Sequence, residues 1–257
     1  MKSNTTVERR LHILKLLEQN ETVDVNTLSK QFDVSLVTIR KDLRYFEKKN
    51  MLIRSRGGAL KQTVMDVDLS IYDRRKQQMK QKEAIGQIAA QLIHNGETIL
   101  IDSGTTTMEM VKHISKDTEV TIITNAIDIA FRLMDYPKIR VIMPGGMLRR
   151  NSLSLVGEQA AEALRNFYSD LCFIGSDGID RQKGLLTMNI EEAHLSRISI
   201  ENAKKVVALI DSTKFQRNGM MTIVPVHKID ILITDNGISE EDLHWLKDSG
   251  IEVIIAN

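Results

Sequence analysis

The chain is poor in several things at once. It has one cysteine, one tryptophan and 4% aromatic residues, and its six histidines are scattered. A lone Cys172 cannot form an internal disulfide, and in the apolar run "DLCFIG" it reads as a small core residue in a reducing compartment. No group of His, Cys and carboxylates has metal-ligand spacing, so neither a metal nor a cofactor is expected. There is no nucleotide-binding P-loop and no fixed-period repeat. No apolar stretch approaches the roughly 18 residues that span a bilayer. Charges interrupt the apolar pattern of "MKSNTTVERRLHILKLLEQN", which argues against a signal peptide and for a cytoplasmic protein. What is there, 257 residues with 42% hydrophobic and 27% charged, is ordinary globular composition for one or two domains.

The net charge of +1 conceals an asymmetry. Residues 1–61 hold 13 Lys/Arg and 7 Asp/Glu (net +6), leaving 22 and 27 (net −5) for the rest. A basic head on an acidic body suggests a nucleic-acid module joined to something else. In the head, "VERRLHILKLLEQN" puts Val7, Leu11, Leu14 and Leu17 on one helical face. A short second helix buries Leu28 and Phe32 and stops near Asp33-Val34, and Ser35 is placed to cap a third, "LVTIRKDLRYFEKKN". At 100° per residue, Ile39, Leu43 and Phe46 share its underside with Leu36 at the edge. Val37, Lys41, Arg44 and Tyr45 face outward, flanked by Thr38 and Arg40. An apolar underside with a basic outer face suits a helix docking in the major groove. "MLIRSRGGALK" then reads as a hairpin turning at Gly57-Gly58, whose Arg54 and Arg56 reach phosphates or the minor groove. The expected division is a winged helix-turn-helix at 1–61, a polar linker at 62–78 and an effector-binding and oligomerisation domain at 79–257.

The segments from Arg10 to Leu14, "SLVTIRKDL" from Ser35 to Leu43 and "RGGA" from Arg56 to Ala59 resemble the N-terminal signature of the DeoR family of bacterial sugar regulators. That resemblance extends over almost the whole chain. It implies double-stranded operator DNA as a partner, read by Ser35, Val37, Thr38, Arg40, Lys41, Arg44, Arg54 and Arg56, and a homodimer or homotetramer.

Past a helix expected to run through "MKQKEAIGQIAAQLIHNG" to Gly96, seven apolar runs alternate with amphipathic segments. They are "TILID", "VTIIT", "IRVIMP", "LCFIG", "KVVALID", "DILITD" and "IEVIIA". The alternation predicts an α/β domain with a mostly parallel sheet covered on both faces. Ligands of such sheets collect at the carboxyl ends of the strands. The residues found there are small, hydroxylic or charged: Asp102–Thr107, Thr124-Asn125, Gly145-Gly146, Gly175–Gly178 and Asp211–Lys214. The turn "SGTTT" admits two readings, an anion held by free helix N–H groups or a helix capped by threonine.

The DeoR effector domain is similar to the fold of ribose-5-phosphate isomerase and glucosamine-6-phosphate deaminase. By that resemblance Ser103, Gly104, Thr105, Thr106 and Thr107 would hold the phosphate of a phosphorylated sugar, with Asp102 beside them among the effector-binding residues. Asn125, Gly145 and Gly146 would line the sugar side, and Lys214 would supply a cation, unless it is only a solvated helix end. Arg149 and Arg150 read as surface charges. "DGID" at 177–180, Lys183-Gly184 and Glu192 also resemble the isomerase's sugar-binding and proton-transfer residues, which makes an isomerase or deaminase the rival reading. The isomerase's glycine run shrinks here to Gly184 before Leu185-Leu186, so Asp177 and Glu192 are expected to accept from sugar hydroxyls rather than to catalyse. A purely structural adaptor would leave the polar rim unexplained. The resulting expectation is a regulator, acting as a repressor, of a carbohydrate-catabolism operon, released by a phosphorylated sugar. Within the family "ILIDSGTTT" and "GGMLRRNSLSLVGEQA" are nearest to the N-acetylgalactosamine (aga-type) repressors, which implies an amino-sugar phosphate.

Overall fold

The computed structural model describes residues 6–20, 22–47, 52–55, 57–61 and 68–257. The chain divides into two compact units, Met1–Met65 and Asp66–Asn257. The first contains α1 (Thr6–Asn20), β1 (Thr22–Asp24), α2 (Val25–Phe32), α3 (Leu36–Glu47), β2 (Leu52–Ser55) and β3 (Gly58–Lys61). Asp24 starts α2 by accepting the Thr27 N–H at 2.8 Å, and Asp33 ends it in the left-handed conformation (φ 53°), which short polar residues tolerate. Ser35 Oγ accepts the Thr38 N–H at 3.2 Å and caps α3. β2 and β3 pair from Leu52↔Lys61 to Ser55↔Gly58, and β1 joins the outer side of β3. A side chain at Gly58 would place its Cβ 2.0 Å from the Val23 carbonyl oxygen, so only glycine lets β1 close on the hairpin.

Ile13, Leu17, Val25, Leu28, Ile39, Leu43, Phe46, Leu52 and Ala59 form the core of this unit. Phe32 is only half-buried. Helix α1 differs from the sequence expectation. Leu11 is 57% exposed, and the buried row is Arg9, Ile13 and Leu17; the Val7 side chain lies outside the described ones. The cause is Asp42, 2% exposed on α3, whose two oxygens accept Arg9 Nε at 2.7 Å and Arg10 Nε at 2.8 Å. A carboxylate taken out of water needs paired donors, and turning α1 to deliver two arginines carries Leu11 to the surface.

The second unit begins where a linker was expected. Residues 62–67 lie outside the described residues, but Ile71–Arg75 forms a short helix, α4, capped by Ser70 and anchored by a fully buried Ile71. Helix α5 (Met79–Ala90) stops short of Gly96 because its last N–H groups tighten into three-residue turns, as in Gln91 N–H to Ile88 O at 3.1 Å. Then follow β4 (Thr98–Ile101), α6 (Thr105–His113), β5 (Thr121–Thr124), α7 (Ile127–Leu133) and β6 (Arg140–Ile142). A hairpin, β7 (Met147–Arg149) and β8 (Ser154–Val156), precedes α8 (Glu158–Leu164) and β9 (Ser169–Ile174). β10 (Gly178–Asp180), β11 (Gly184–Thr187), α9 (Ile190–Glu201), β12 (Ala203–Leu209), β13 (Met221–Thr222), β14 (Ile231–Asp235), α10 (Glu240–Asp248) and β15 (Glu252–Ala256) complete it.

All seven predicted runs enter one parallel sheet, in the order β15-β14-β12-β9-β4-β5-β6. Alternate residues of each strand feed two cores. Ile99, Ile101, Phe173 and Val207 pack with residues of α5, α6 and α7, while Leu100, Cys172, Ile174 and Ala208 pack with residues of α8, α9 and α10. Cys172 is fully buried and its thiol is pushed well above its ordinary pKa by that burial. Gly86 of α5 presses against α6, where an added Cβ would lie 2.6 Å from the Met110 nitrogen.

Replacing Asp42 with alanine leaves Arg9 buried without its acceptor. The head should lose about 3–5 kcal/mol of stability, read as faster hydrogen exchange at α1 and α3 amides in the full chain, with exchange in the seven-stranded sheet unchanged. Equal protection in variant and wild type would mean that the ion cluster does not hold the head together.

Candidate functional site

Each unit carries one candidate site. On α3, Val37 is 71% exposed, Arg40, Lys41 and Arg44 are exposed beside it, and Thr38 is partly covered. Ser35 and Thr38 are joined through their hydroxyls at 2.9 Å, so the helix start is preorganised. Arg10 lies 3.7 Å over the Tyr45 ring, adding a stacked cation beside this face. On the hairpin, Arg54 approaches Glu47 at 3.5 Å; Arg56 lies outside the described residues. The arrangement is a helix with an apolar underside, an N-cap and a row of outward cations, flanked by a two-stranded wing.

In the second unit the strand order changes direction between β9 and β4: connections from β4 and β5 run on one face and that from β9 through β12 on the other. A crevice at the carboxyl ends of these strands follows from that divergence. It is lined by Asp102, Ser103, Gly104, Thr105 and Thr106 after β4, by Gly175, Ser176 and Asp177 after β9, and by Lys214 after β12. Arg74 of α4, Thr187, Glu192, Ser196 and Ile223 complete the wall. No side chain caps α6, and its first bonded amide is Met108, donating to Gly104 O at 3.1 Å, so the N–H groups of the first turn face the crevice end of the helix.

Several expected residues lie elsewhere. The Thr107 hydroxyl is fully buried and donates to Asp102 O and Gly104 O, bracing the turn from behind. Asn125 is buried with its amide donating to Leu155 O at 3.3 Å, and neither Gly145 nor Gly146 lines the crevice. Gly146 (φ 109°) instead lets the chain pass the Val156 carbonyl, which an added Cβ would meet at 2.6 Å. These positions shape the β7–β8 hairpin. Arg149 is no surface charge: it is 10% exposed, donates to Glu192 Oε1 and Ser152 Oγ at 2.8 Å each, and pairs with Asp68. Arg150 is exposed.

The charges of the crevice are strongly coupled. Burial pushes the Asp102 carboxyl up to about 7, against the Ser196 hydroxyl (2.8 Å) and the Ser103 N–H (2.7 Å) that donate to it. Burial also raises Glu192, which Arg149 and Ser152 counter without cancelling. Asp177 goes the other way: despite burial, Arg74 (3.3 Å), Lys214, the Met188 N–H (3.0 Å) and the Thr187 hydroxyl hold it below the usual carboxylate range. Burial lowers the Lys214 ammonium, and Asp177 is its main compensation. Asp235 accepts the Ser212 N–H at 2.7 Å and Asp211 the Thr213 N–H at 3.2 Å, which fixes the loop that carries Lys214. An anion with several acceptor oxygens fits this lining of amide donors, hydroxyls and two cations, and adjoining carboxylates can accept from a polyol. Among the described residues no cluster of His, Cys and carboxylates could hold a metal ion, and no helix is long and apolar enough to cross a membrane.

Family models match both units: the DeoR-like helix-turn-helix domain over residues 9–63 and the DeoR C terminal sensor domain over residues 77–236. The chain is 38% identical over 252 residues to the "Putative aga operon transcriptional repressor" of Escherichia coli O157:H7, spanning 97% of this chain and 94% of that protein. The chain belongs to the DeoR family.

Other relatives of this DeoR-family chain include the HTH-type transcriptional regulator GolR of Listeria innocua, 36% identical over 97% of this chain and 98% of that one. The glycerol-3-phosphate regulon repressor of Escherichia coli K12 is 32% identical over 89% and 90%. The full-length sorbitol operon regulator SorC of Klebsiella pneumoniae superposes with a TM-score of 0.45 at 12% identity, over 95% of this chain and all 100% of that one. Ribose 5-phosphate isomerase A of Methanocaldococcus jannaschii does so at 0.39 and 18%, over 52% and 53%. The architecture of the sensor domain is carried by its own sheet order.

Asp102 makes the stability of the sensor domain pH-dependent. Between about pH 4, the ordinary carboxylate range, and about 7 the folded chain keeps a proton that the unfolded chain has released. The stability from this group is therefore complete below that window and lost as pH rises through about 7. Asp102→Asn should melt higher relative to wild type at pH 8 than at pH 5, by the equivalent of about 1–3 kcal/mol. A difference in melting temperature that is the same at both pH values would contradict the assignment.

Proposed function

We propose that this chain is a DNA-binding repressor of a carbohydrate-catabolism operon, released from its operator when a phosphorylated sugar occupies the crevice of the sensor domain. The observation that carries the reading is the uncapped N-terminus of α6 facing the same small space as Lys214 and Arg74. Backbone N–H groups and two cations offer a phosphate more donors than a neutral sugar could use. Asp177 and Glu192 then accept from sugar hydroxyls. The relatives named for the aga operon and the glycerol-3-phosphate regulon support the same class, and an amino-sugar phosphate is the favoured member of it. Two or four copies would present paired α3 helices to repeated half-sites.

The crevice gives less support to turnover of an isomerase type. Glu192, the residue that would move a proton, is held by Arg149, and Asp177 is fixed as an ion by Arg74 and Lys214. The relatives are named as transcriptional regulators.

Lys41→Ala or Arg44→Ala should weaken operator binding by about 1–3 kcal/mol if the side chain reads a base, or flatten the salt dependence if it meets a phosphate. Lys214→Ala should instead spare operator binding and weaken sugar-phosphate binding by about 10- to 100-fold, giving a repressor that no longer responds to its sugar. Electrophoretic mobility shifts with and without a sugar-phosphate panel separate the two. Loss of DNA binding in Lys214→Ala, or an unaltered response to effector, would count against this assignment.

A further inference from the structure

Two polar atoms at the crevice are unexplained by the protein alone. Arg74 Nε and Ser176 Oγ are buried and have no hydrogen-bond partner, although both residues line the same wall. Buried donors of this kind are rare enough to call for an acceptor from outside the chain. Arg74 does not come from the sheet rim. It comes from the stretch Asp68–Arg75, which in sequence directly follows residues 62–67, where the chain passes from the DNA-binding unit into the sensor unit.

That stretch is tied down by the charges that face the crevice. Arg74 Nη1 donates to Asp177 at 3.3 Å. Asp68 pairs with Arg149, which holds Glu192 at 2.8 Å with another nitrogen. Asn151 donates to Asp68 O at 2.7 Å and accepts the Ile71 N–H at 2.8 Å. Lys82, 4% exposed, donates to Arg74 O at 2.6 Å and Gln77 O at 2.7 Å, so it grips the end of α4 from behind. Both carboxylates assigned to sugar hydroxyls thus each hold a part of one strap, Asp177 directly and Glu192 through Arg149.

We propose that Arg74 is an effector-binding residue and that Asp68–Arg75 is the strap through which occupancy of the crevice reaches the DNA-binding unit. This rests on the crevice being an anion site. An oxyanion there supplies the acceptor that Arg74 Nε lacks and binds the guanidinium more strongly than Asp177 at 3.3 Å does. Filling the crevice therefore fastens the strap, and with it the point at which the DNA-binding unit is tethered. Coupling of two sites requires such a difference between the free and bound states of one element.

The test uses the full chain and inorganic phosphate, with binding measured by calorimetry and strap order by hydrogen exchange. In the wild type phosphate should slow exchange at the amides of residues 71–78 by about threefold or more. Arg74→Gln should bind phosphate about 10- to 100-fold more weakly, and Arg74→Lys, which keeps the charge but has no Nε, should fall between. Asp68→Asn changes no residue lining the crevice: it should still bind phosphate and operator, yet lose the protection of residues 71–78 and the release of operator by phosphate. If Lys214→Ala weakens phosphate binding while Arg74→Gln, melting like wild type, binds it normally, the strap proposal is overturned and the anion site stands. Wild-type exchange at 71–78 that ignores phosphate would overturn the strap in the same way. Phosphate binding that is absent, or indifferent to Lys214→Ala, removes the anion site and the strap with it.

Discussion

In a parallel sheet every strand ends at the same edge, and each connection must return across a face before the next can begin. The sensor domain uses α5, α6 and α7 on one face and α8, α9 and α10 on the other, and the change of side falls between β9 and β4. Loops diverge there instead of covering one another. The crevice, the uncapped start of α6 and the meeting of residues more than a hundred positions apart all descend from that single parting of connections.

Placing ions in so confined a space obliges each to be answered by a neighbour. Two bases and three acids share the wall, and the protein settles them unequally: Asp177 is kept charged, Asp102 is held near neutrality, and Glu192 is given a buried arginine. Because Arg74 of α4 answers Asp177 and Arg149 of the β7–β8 hairpin answers Glu192, the electrostatic balance of the crevice is also the attachment of the segments around it.

Much of this is legible in the sequence. All seven strands stand out as apolar runs, and the rim residues after β4, β9 and β12 follow from where parallel strands end. In the head, Ile39, Leu43 and Phe46 obey helical spacing. The failures share a cause, which is that they depend on partners distant in sequence. The face of α1 is set by Asp42, 32 and 33 residues away from Arg10 and Arg9. Arg74 reads as part of a polar linker because Ile71, the buried anchor of α4, is a single residue without a period. Arg149 resembles a surface charge because nothing local announces Glu192. Asn125, Gly145 and Gly146 have the composition of a ligand loop, yet they serve hairpin geometry.

Gly86 gives the sensor domain an unequal capacity for change. The first turn of α6 offers backbone N–H groups, which no substitution at those positions other than proline can delete. Their location is set from behind by α5, whose backbone approaches Met110 so closely that any side chain at Gly86 would push the helix away. The donor groups at the start of α6 are thus protected from drift by a residue that does not line the crevice. Thr187, Glu192 and Ser196 can change only together with the partners they hold, Asp177, Arg149 and Asp102. A duplicated gene could therefore remodel the side-chain wall of the crevice by paired substitutions while inheriting the backbone donors of α6 intact.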